Sequence, residues 1–203
     1  MAIDQHVSPA RAAAPDLVLL GGVPGAGKST VLRRVRRRPG VRVLDPDSHR
    51  AAVGRAVGAV VPYRAWRPVV HVLHAVAVLG ALLRGPGRAD GAQLVVHEPG
   101  TRPRRTAALL RLARARGWRP ALVFVDAPRE AALAGQHARG RVLDPRSFDG
   151  HWRRWSQQRR HWLDAERSAG GRDGDDPGDD RCEVRVVRRD DAEEGLVALL
   201  AGR

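Results

Sequence analysis

Lys28 is the only lysine among 36 basic residues, and it stands inside Gly22-x-x-x-x-Gly27-Lys28-Ser29. An ammonium on a flexible stem is a compact point charge, whereas a guanidinium is a planar fork too broad for a cramped loop. Placed at random, a lone lysine would fall here roughly once in two hundred tries, so a composition driven toward arginine has stopped where arginine does not fit. The chemistry this spacing offers is phosphate binding. Gly22, Gly25 and Gly27 let the backbone take positive φ and turn successive N–H groups, that of Ala26 included, toward phosphate oxygens. A helix starting near Lys28 adds its positive end. Lys28 would reach the β and γ phosphates of a bound nucleotide, the Ser29 hydroxyl would ligate magnesium, and Thr30 would bond the α-phosphate side or its own helix turn.

Further along, acidic and basic residues recur at places that such a loop can use. Asp47 and Arg50 follow the apolar run Val41 to Leu44, Glu98 and Thr101 follow Gln93 to His97, and Asp126 follows Ala121 to Val125. Asp47 is the candidate general base, a carboxylate able to take a proton from a hydroxyl aimed at a γ-phosphorus; its competing role is capping a helix that begins at Ser48. Asp45, tied to Pro46, reads as outward and structural. Arg50, one turn beyond Asp47, could hold an anionic acceptor or be one more surface arginine. Glu98 ends LVVHE, where a carboxylate would order magnesium-bound water or the acceptor, and His97 reads as a packed strand residue. Asp126 could equally cap the helix after Pro128. Arg139 and Arg141 flank Gly140 between two helical segments, the composition of a mobile lid, about 137 to 146, whose cations would neutralise charge during phosphoryl transfer.

The elements that must position these residues alternate regularly. Leu17 to Leu20 is a buried strand entering the glycine loop, and a helix covers about 28 to 38. Strand two, Val41 to Leu44, leads to helices over roughly 48 to 60 and 63 to 83. Strand three is Gln93 to His97, followed by an amphipathic helix over 103 to 116 with Leu109, Leu110 and Leu112 inward and Arg104, Arg105, Arg111, Arg114 and Arg116 outward. Strand four, Ala121 to Val125, is followed by helices from Pro128 to about 139 and from Pro145 to about 168, where Phe148, Trp152, Trp155 and Trp162 take helical spacing and read as core. The run GGRDGDDPGDD, 170 to 180, reads as a solvated loop before strand five, Glu183 to Val187, and a closing helix from Ala192. Strands alternating with helices around a first-strand glycine loop describe a doubly wound α/β fold, a five-stranded parallel sheet with helices on both faces, for which the likeness to P-loop NTPases implies the order 2-3-1-4-5, and ligands of such sheets bind at the C-terminal strand ends.

A length of 203 residues fits one domain, 16–203, behind a loose lead-in over 1–15 that has no apolar run of signal-peptide length. A formal charge of +14 favours an anionic ligand and admits nucleic acid as a partner, although the arginines are dispersed through the helices. One cysteine, Cys182, excludes an internal disulfide and suits a reducing cytoplasm. The longest apolar stretch, Val69 to Leu83, carries His71 and His74, is too short and too polar to span a bilayer, and reads as a buried helix whose histidines are buried and satisfied.

Taken together, GGVPGAGKST, Asp47-x-x-Arg50, VVHEPGTRPRR, GWRPALVFVDAP and QHARGRVLDPRSF resemble the P-loop kinases related to polynucleotide 5′-hydroxyl kinase and the zeta toxins, over about residues 16 to 165. The resemblance implies ATP and magnesium as cofactors. It gives Asp47 the acceptor hydroxyl, Arg50 the support of the acceptor, and Arg139 with Arg141 the phosphates. One departure is His97-Glu98, where polynucleotide kinases show an aspartate followed by threonine or asparagine. Asn-Lys-x-Asp for guanine recognition is absent, as are an ABC signature and a second helical domain with sensor arginines of the kind AAA-type motors carry. The expected activity is transfer of a γ-phosphoryl group to a hydroxyl of a nucleic-acid 5′ end, a nucleotide sugar or another small metabolite. The competing expectation is an ATP-binding regulator or nucleic-acid-associated NTPase without such an acceptor.

Overall fold

Leu17, Val18, Leu19 and Leu20 have no solvent exposure at all, as befits the middle strand of a sheet covered on both sides. This strand, β1 (Leu17–Gly22), belongs to a computed structural model that describes residues 14–57, 61–86, 93–99, 102–138, 148–150, 152–158, 164 and 183–202. The order after β1 is α1 (Lys28–Val35), β2 (Val41–Leu44), α2 (Pro46–Val57), α3 (Tyr63–Arg84), β3 (Gln93–His97), α4 (Pro103–Ala115), β4 (Pro120–Asp126), α5 (Arg129–His137), β5 (Glu183–Arg188) and α6 (Ala192–Leu200). Residues 148–150 and 152–158 are helical as well.

The five strands form one parallel sheet in the order β2-β3-β1-β4-β5, the order expected of a P-loop fold. β1 pairs with β3 from Leu17–Leu94 to Leu20–His97 and with β4 from Leu17–Pro120 to Gly22–Val125. This register brings the ends of β1, β3 and β4 to one edge, where Gly22, Glu98 and Asp126 follow or close their strands. The inner strands read as apolar runs, while the edge strands β2 and β5 are more open to water, with Arg42, Glu183 and Arg188 exposed. Helices α1 and α6 pack together, and α3 packs on α2 and α4. Phe148 and Trp155 are buried in the core, Phe124 and Trp155 rings lie 5.3 Å apart, and Phe148 stacks on Trp152 at 6.2 Å, so these aromatics are core as expected. Trp162, the acidic run 170–180 and the expected lid with Arg139 and Arg141 lie outside the described residues, as does Thr101.

Four expectations need correction. Helix α2 starts at Pro46, two residues before Ser48, because proline suits a first helical position and Asp45 supplies the cap. Arg105 is not outward: it turns to Glu98, its Nε 3.2 Å from the carboxylate. Ala14 and Pro15 are not loose; the Pro15 carbonyl accepts from the Gln93 amide at 2.9 Å and a Cβ on Gly202 would touch Ala14. Finally, α3 is not a buried helix. It is long and apolar enough by length and composition to cross a membrane, with a mean hydropathy of 1.5, yet only 28% of its apolar window is buried. Its inner side is committed to the domain: Val70, Val78, Ala81 and Leu82 are buried, Trp118 Nε1 donates to the Leu82 carbonyl at 3.0 Å, and His74 Nε2 bonds the His97 carbonyl at 3.1 Å.

Candidate active site

The loop between β1 and α1 has the geometry its glycines announced. Gly22, Gly25 and Gly27 take φ of 131°, 93° and 99°, and Gly27 caps α1 in the left-handed region. Two of these glycines are also required by packing. A Cβ on Gly22 would run into the Val125 carbonyl of β4, and one on Gly25 into the Ala132 carbonyl of α5. Gly135 meets Gly25 in the same way from the other side, and the Gln136 amide donates to the Pro24 carbonyl at 3.3 Å. Thus α5 serves as the wall against which the loop is pressed. Within the loop the Ala26 N–H donates to the Val23 carbonyl at 3.2 Å, and Thr30 and Val31 N–H groups bond the Gly27 carbonyl at 2.8 and 3.2 Å.

Lys28 is buried, and its Nζ donates to the carbonyl oxygens of Gly22 at 2.7 Å and Val23 at 2.8 Å. An ammonium has three donors and no acceptor, so it bridges the loop's own carbonyls and can exchange those contacts for phosphate oxygens. The left-handed glycines, the start of α1 and this ammonium together form a concave, cationic cradle that a Cβ would fill. Its donor set fits a nucleotide triphosphate chain.

Ser29 faces a cleft of about 480 Å³ lined also by Arg33, Arg36, Asp45, Asp47, Ser48 and Ala51. Asp45 and Asp47 have divided their tasks. Asp45 is nearly buried, its Oδ1 accepts the Asp47 N–H at 3.1 Å and its carbonyl accepts the Ser48 N–H at 3.1 Å, which makes Asp45 the cap of α2. It is structural, as expected, but it points inward. Asp47 sits in the first turn of α2 and lines the cleft. Arg50, a turn further, lies over the Tyr63 ring with its guanidinium carbon 4.4 Å from the centroid.

Glu98 is 2% exposed, with its N–H bonded to the Leu20 carbonyl at 3.0 Å. A carboxylate so deep is tolerated when a cation stands beside it, and Arg105 fills that place. Beside it, burial above all, then the charge of Lys28 and the neighbouring His74, lowers the His97 pKa to about 3. His97 Nδ1 stands 4.0 Å from Asp45 Oδ1. His74 is buried and its pKa falls to about 4, chiefly through burial, against the opposing bond to the His97 carbonyl. Both imidazoles are therefore neutral at pH 7. His74 Nδ1 has no hydrogen-bond partner, so this histidine is buried but not fully satisfied; His71, by contrast, is exposed and accepts from Arg67 Nε at 3.2 Å.

Three contributors escaped the sequence reading. Arg33 and Arg36 line the cleft beside Asp47, and Arg36 donates to the Ser48 hydroxyl at 2.9 Å. Their signal was the spacing Ser29, Arg33, Arg36, one face of a helix. Arg189 lies over the loop, its Cγ 3.5 Å from where a Gly27 Cβ would stand, and donates to the Ala131 carbonyl at 2.9 Å. The cap position of α5 is Pro128, and Asp126 accepts from Trp155 Nε1 at 3.4 Å.

The AAA domain (AAA_33) family matches residues 17–162, from β1 through the helical residues after 148. The chain belongs to the AAA domain family. No curated protein matches it. Among solved structures, this AAA domain chain is similar to a gluconokinase from Sinorhizobium meliloti 1021, at 16% identity and a TM-score of 0.51 over 92% of each chain. Shikimate kinase from Acinetobacter baumannii in complex with shikimate aligns at 19% identity and a TM-score of 0.52, over 94% of this chain and 96% of that one. A putative kinase from Chloroflexus aurantiacus j-10-fl aligns at 16% identity and a TM-score of 0.51, over 68% and 75%. The fold is the P-loop fold these kinases share.

Proposed function

We propose that this AAA domain protein is an ATP- and magnesium-dependent kinase that transfers the γ-phosphoryl group to a hydroxyl of an acceptor held between α1 and α2. The observation that carries the reading is the cleft itself: Ser29 of the phosphate loop and Asp47 of α2 line the same cavity. A nucleotide bound on the loop would thus have its terminal phosphate beside a general base, which is the arrangement phosphoryl transfer needs.

In this reading the loop amides and Lys28 hold the β and γ phosphates, and the ammonium gives up the Gly22 and Val23 carbonyls to do so. Magnesium, held through the Ser29 hydroxyl, would supply charge neutralisation at the phosphates. Asp47 accepts the hydroxyl proton of the acceptor, and Asp45 keeps it in place by fixing the first turn of α2. Arg33 and Arg36 add two cations to the same cleft, which favours an anionic acceptor more directly than the overall charge does. Arg50 supports the acceptor from α2, Glu98 and Thr101 follow β3, and Arg139 with Arg141 supply the transition-state cations from the lid.

Acceptors of the expected class are nucleic-acid 5′ ends, as the likeness to polynucleotide kinases and zeta toxins suggests, nucleotide sugars, and small hydroxy acids. Gluconate and shikimate join the panel because kinases with those names share the fold. The deciding experiment is transfer of labelled γ-phosphate from ATP to this panel, with Lys28→Ala as control. Label on one acceptor, absent in the control, supports the kinase and names its substrate class. Tight ATP binding without a labelled acceptor, and with cellular activity indifferent to Asp47→Asn, would favour a nucleotide-dependent regulator instead.

A further inference from the structure

The side of α3 that faces away from the sheet is bare of polar groups. Val69, Val72, Leu73, Val76, Leu79 and Leu83 are all exposed, with Val72 at 61% and Val76 at 62% the most open large apolar residues among those described. The opposite side, Val70, His74, Val78, Ala81 and Leu82, is packed into the domain. Val69, Val76 and Leu83 repeat every seven residues, and Val72 with Leu79 repeat in the same step, three residues on. That is the a/d spacing by which one helix lays a straight seam along another. Between Val69 and Leu83 the seam would run about 21 Å.

The area is large for a monomer. The six side chains together expose on the order of 500 Å² of apolar surface, at the upper end of what a solitary domain shows to water. Buried in two copies, it would account for about 1,000 Å², which with the neighbouring surface of α2 or α4 reaches the range of a specific interface.

Charge narrows the choice of occupant. Tyr63–Arg84 contains no acidic residue, and its cations stand off the seam: Arg67 lies three residues before Val70 and so on the inner phase of the helix, bonding His71. A helix that rests on an anionic bilayer carries its basic residues along both borders of the apolar face. An acidic partner would likewise find no cation in the seam. What fits an uncharged a/d stripe is another uncharged a/d stripe, and the nearest one is the same stripe on a second copy.

We propose that α3 is a self-association surface, by which two copies of this chain pack α3 against α3 about a two-fold axis passing near Val72 and Val76. In such an isologous contact each residue near the axis meets its own counterpart. The pairing would also brace the α2–α3 unit, since α2 carries Asp47 and packs on α3.

The test is sedimentation velocity on the full chain from about 1 to 100 μM, a range that brackets an interface of modest area. The wild type is expected to be a dimer over most of this range. Val76→Glu places two carboxylates face to face at the axis and is expected to raise the dimer Kd at least tenfold. Because Val76 is exposed in the single chain, the variant should keep its melting temperature and its ATP affinity, which shows that the loss is of association and not of fold. Raising NaCl from about 50 to 500 mM should leave the wild-type dimer intact or tighten it, because both copies are strongly cationic and salt screens their repulsion. A wild type that stays monomeric at 100 μM overturns the proposal, and so does a dimer that Val76→Glu leaves unchanged. A monomer that co-sediments with phosphatidylserine vesicles, and ceases to in Val76→Glu, overturns it in favour of a bilayer.

Discussion

Asp45 Oδ1 accepts the backbone N–H of Asp47 at 3.1 Å, so of the two cleft-lining carboxylates that bracket Pro46, Asp45 is the one engaged in capping α2. Their substitutions should therefore separate. Asp45→Ala removes a cap from α2 and should lower stability by about 1 kcal/mol, a fall in Tm of roughly 2–4 °C. Asp47→Asn keeps the fold and ATP affinity and should reduce phosphoryl transfer at least a hundredfold. Thermal melts, ATP titration and a transfer assay on both variants check the division. Comparable losses of Tm in the two would contradict it.

The phosphate loop gives a sharper contrast, because its glycines are constrained for different reasons. Gly25→Ala meets both a φ of 93° and the Ala132 carbonyl of α5. It should cost roughly 3 kcal/mol, or displace α5 and abolish nucleotide binding. Gly27→Ala has a similar φ of 99°, but its nearest neighbour is the flexible Arg189 side chain at 3.5 Å. That change should cost only about 1 kcal/mol. Urea unfolding of the two variants measures the difference directly.

Lys28→Arg tests why one lysine persists in a chain of arginines. The Nζ fits between the Gly22 and Val23 carbonyls at 2.7 and 2.8 Å, inside a loop already pressed against β4 and α5. A guanidinium has no room to approach both oxygens end-on, nor to sit between two phosphates as a point charge. ATP affinity should fall at least tenfold despite the conserved charge. Calorimetric titration of the variant with ATP is the check.

How far the fold was legible in the sequence depended on whether a residue's type was tied to its position. Glycines at fixed spacing, apolar runs of strand length and right-handed crossovers make the parallel, doubly wound sheet legible, whereas its strand order follows only from the likeness to P-loop folds. The start of α2 at Pro46 is less legible, because the neighbouring Asp45 reads as outward when only its sequence context is known, whereas its carboxylate turns in to cap the helix. Arg33 and Arg36 were lost among arginines of equal type, since a charge alone does not say which helix face is a cleft. For α3 the failure has a different cause. Its apolar residues populate both faces, so periodicity gives a helix and cannot tell a face covered by the sheet from one left open.

The buried histidines give the chain a pH dependence whose sign follows from their environment. In the unfolded chain His74 and His97 titrate near 6.5, whereas in the folded protein burial holds them at about 4 and about 3. Between these values the unfolded state binds protons that the native state refuses, so stability falls as pH falls. The full contribution is present above about pH 7 and is lost progressively from about 6.5 toward about 4 for His74 and about 3 for His97. Most carboxylates do not titrate in the upper part of that window, so a fall in Tm between about pH 6.5 and 5 belongs to the histidines. The exposed His71, lowered first by partial burial and then by Arg67, Arg105 and Arg102, adds in the same direction. His74→Gln keeps a donor for the His97 carbonyl but cannot take a proton. Its Tm should therefore fall less steeply than that of the wild type over the same pH range, even where its absolute Tm at pH 7.5 is lower. A wild-type Tm flat from pH 7 to 5 would mean that protons reach His74 and His97 without unfolding the core around β3.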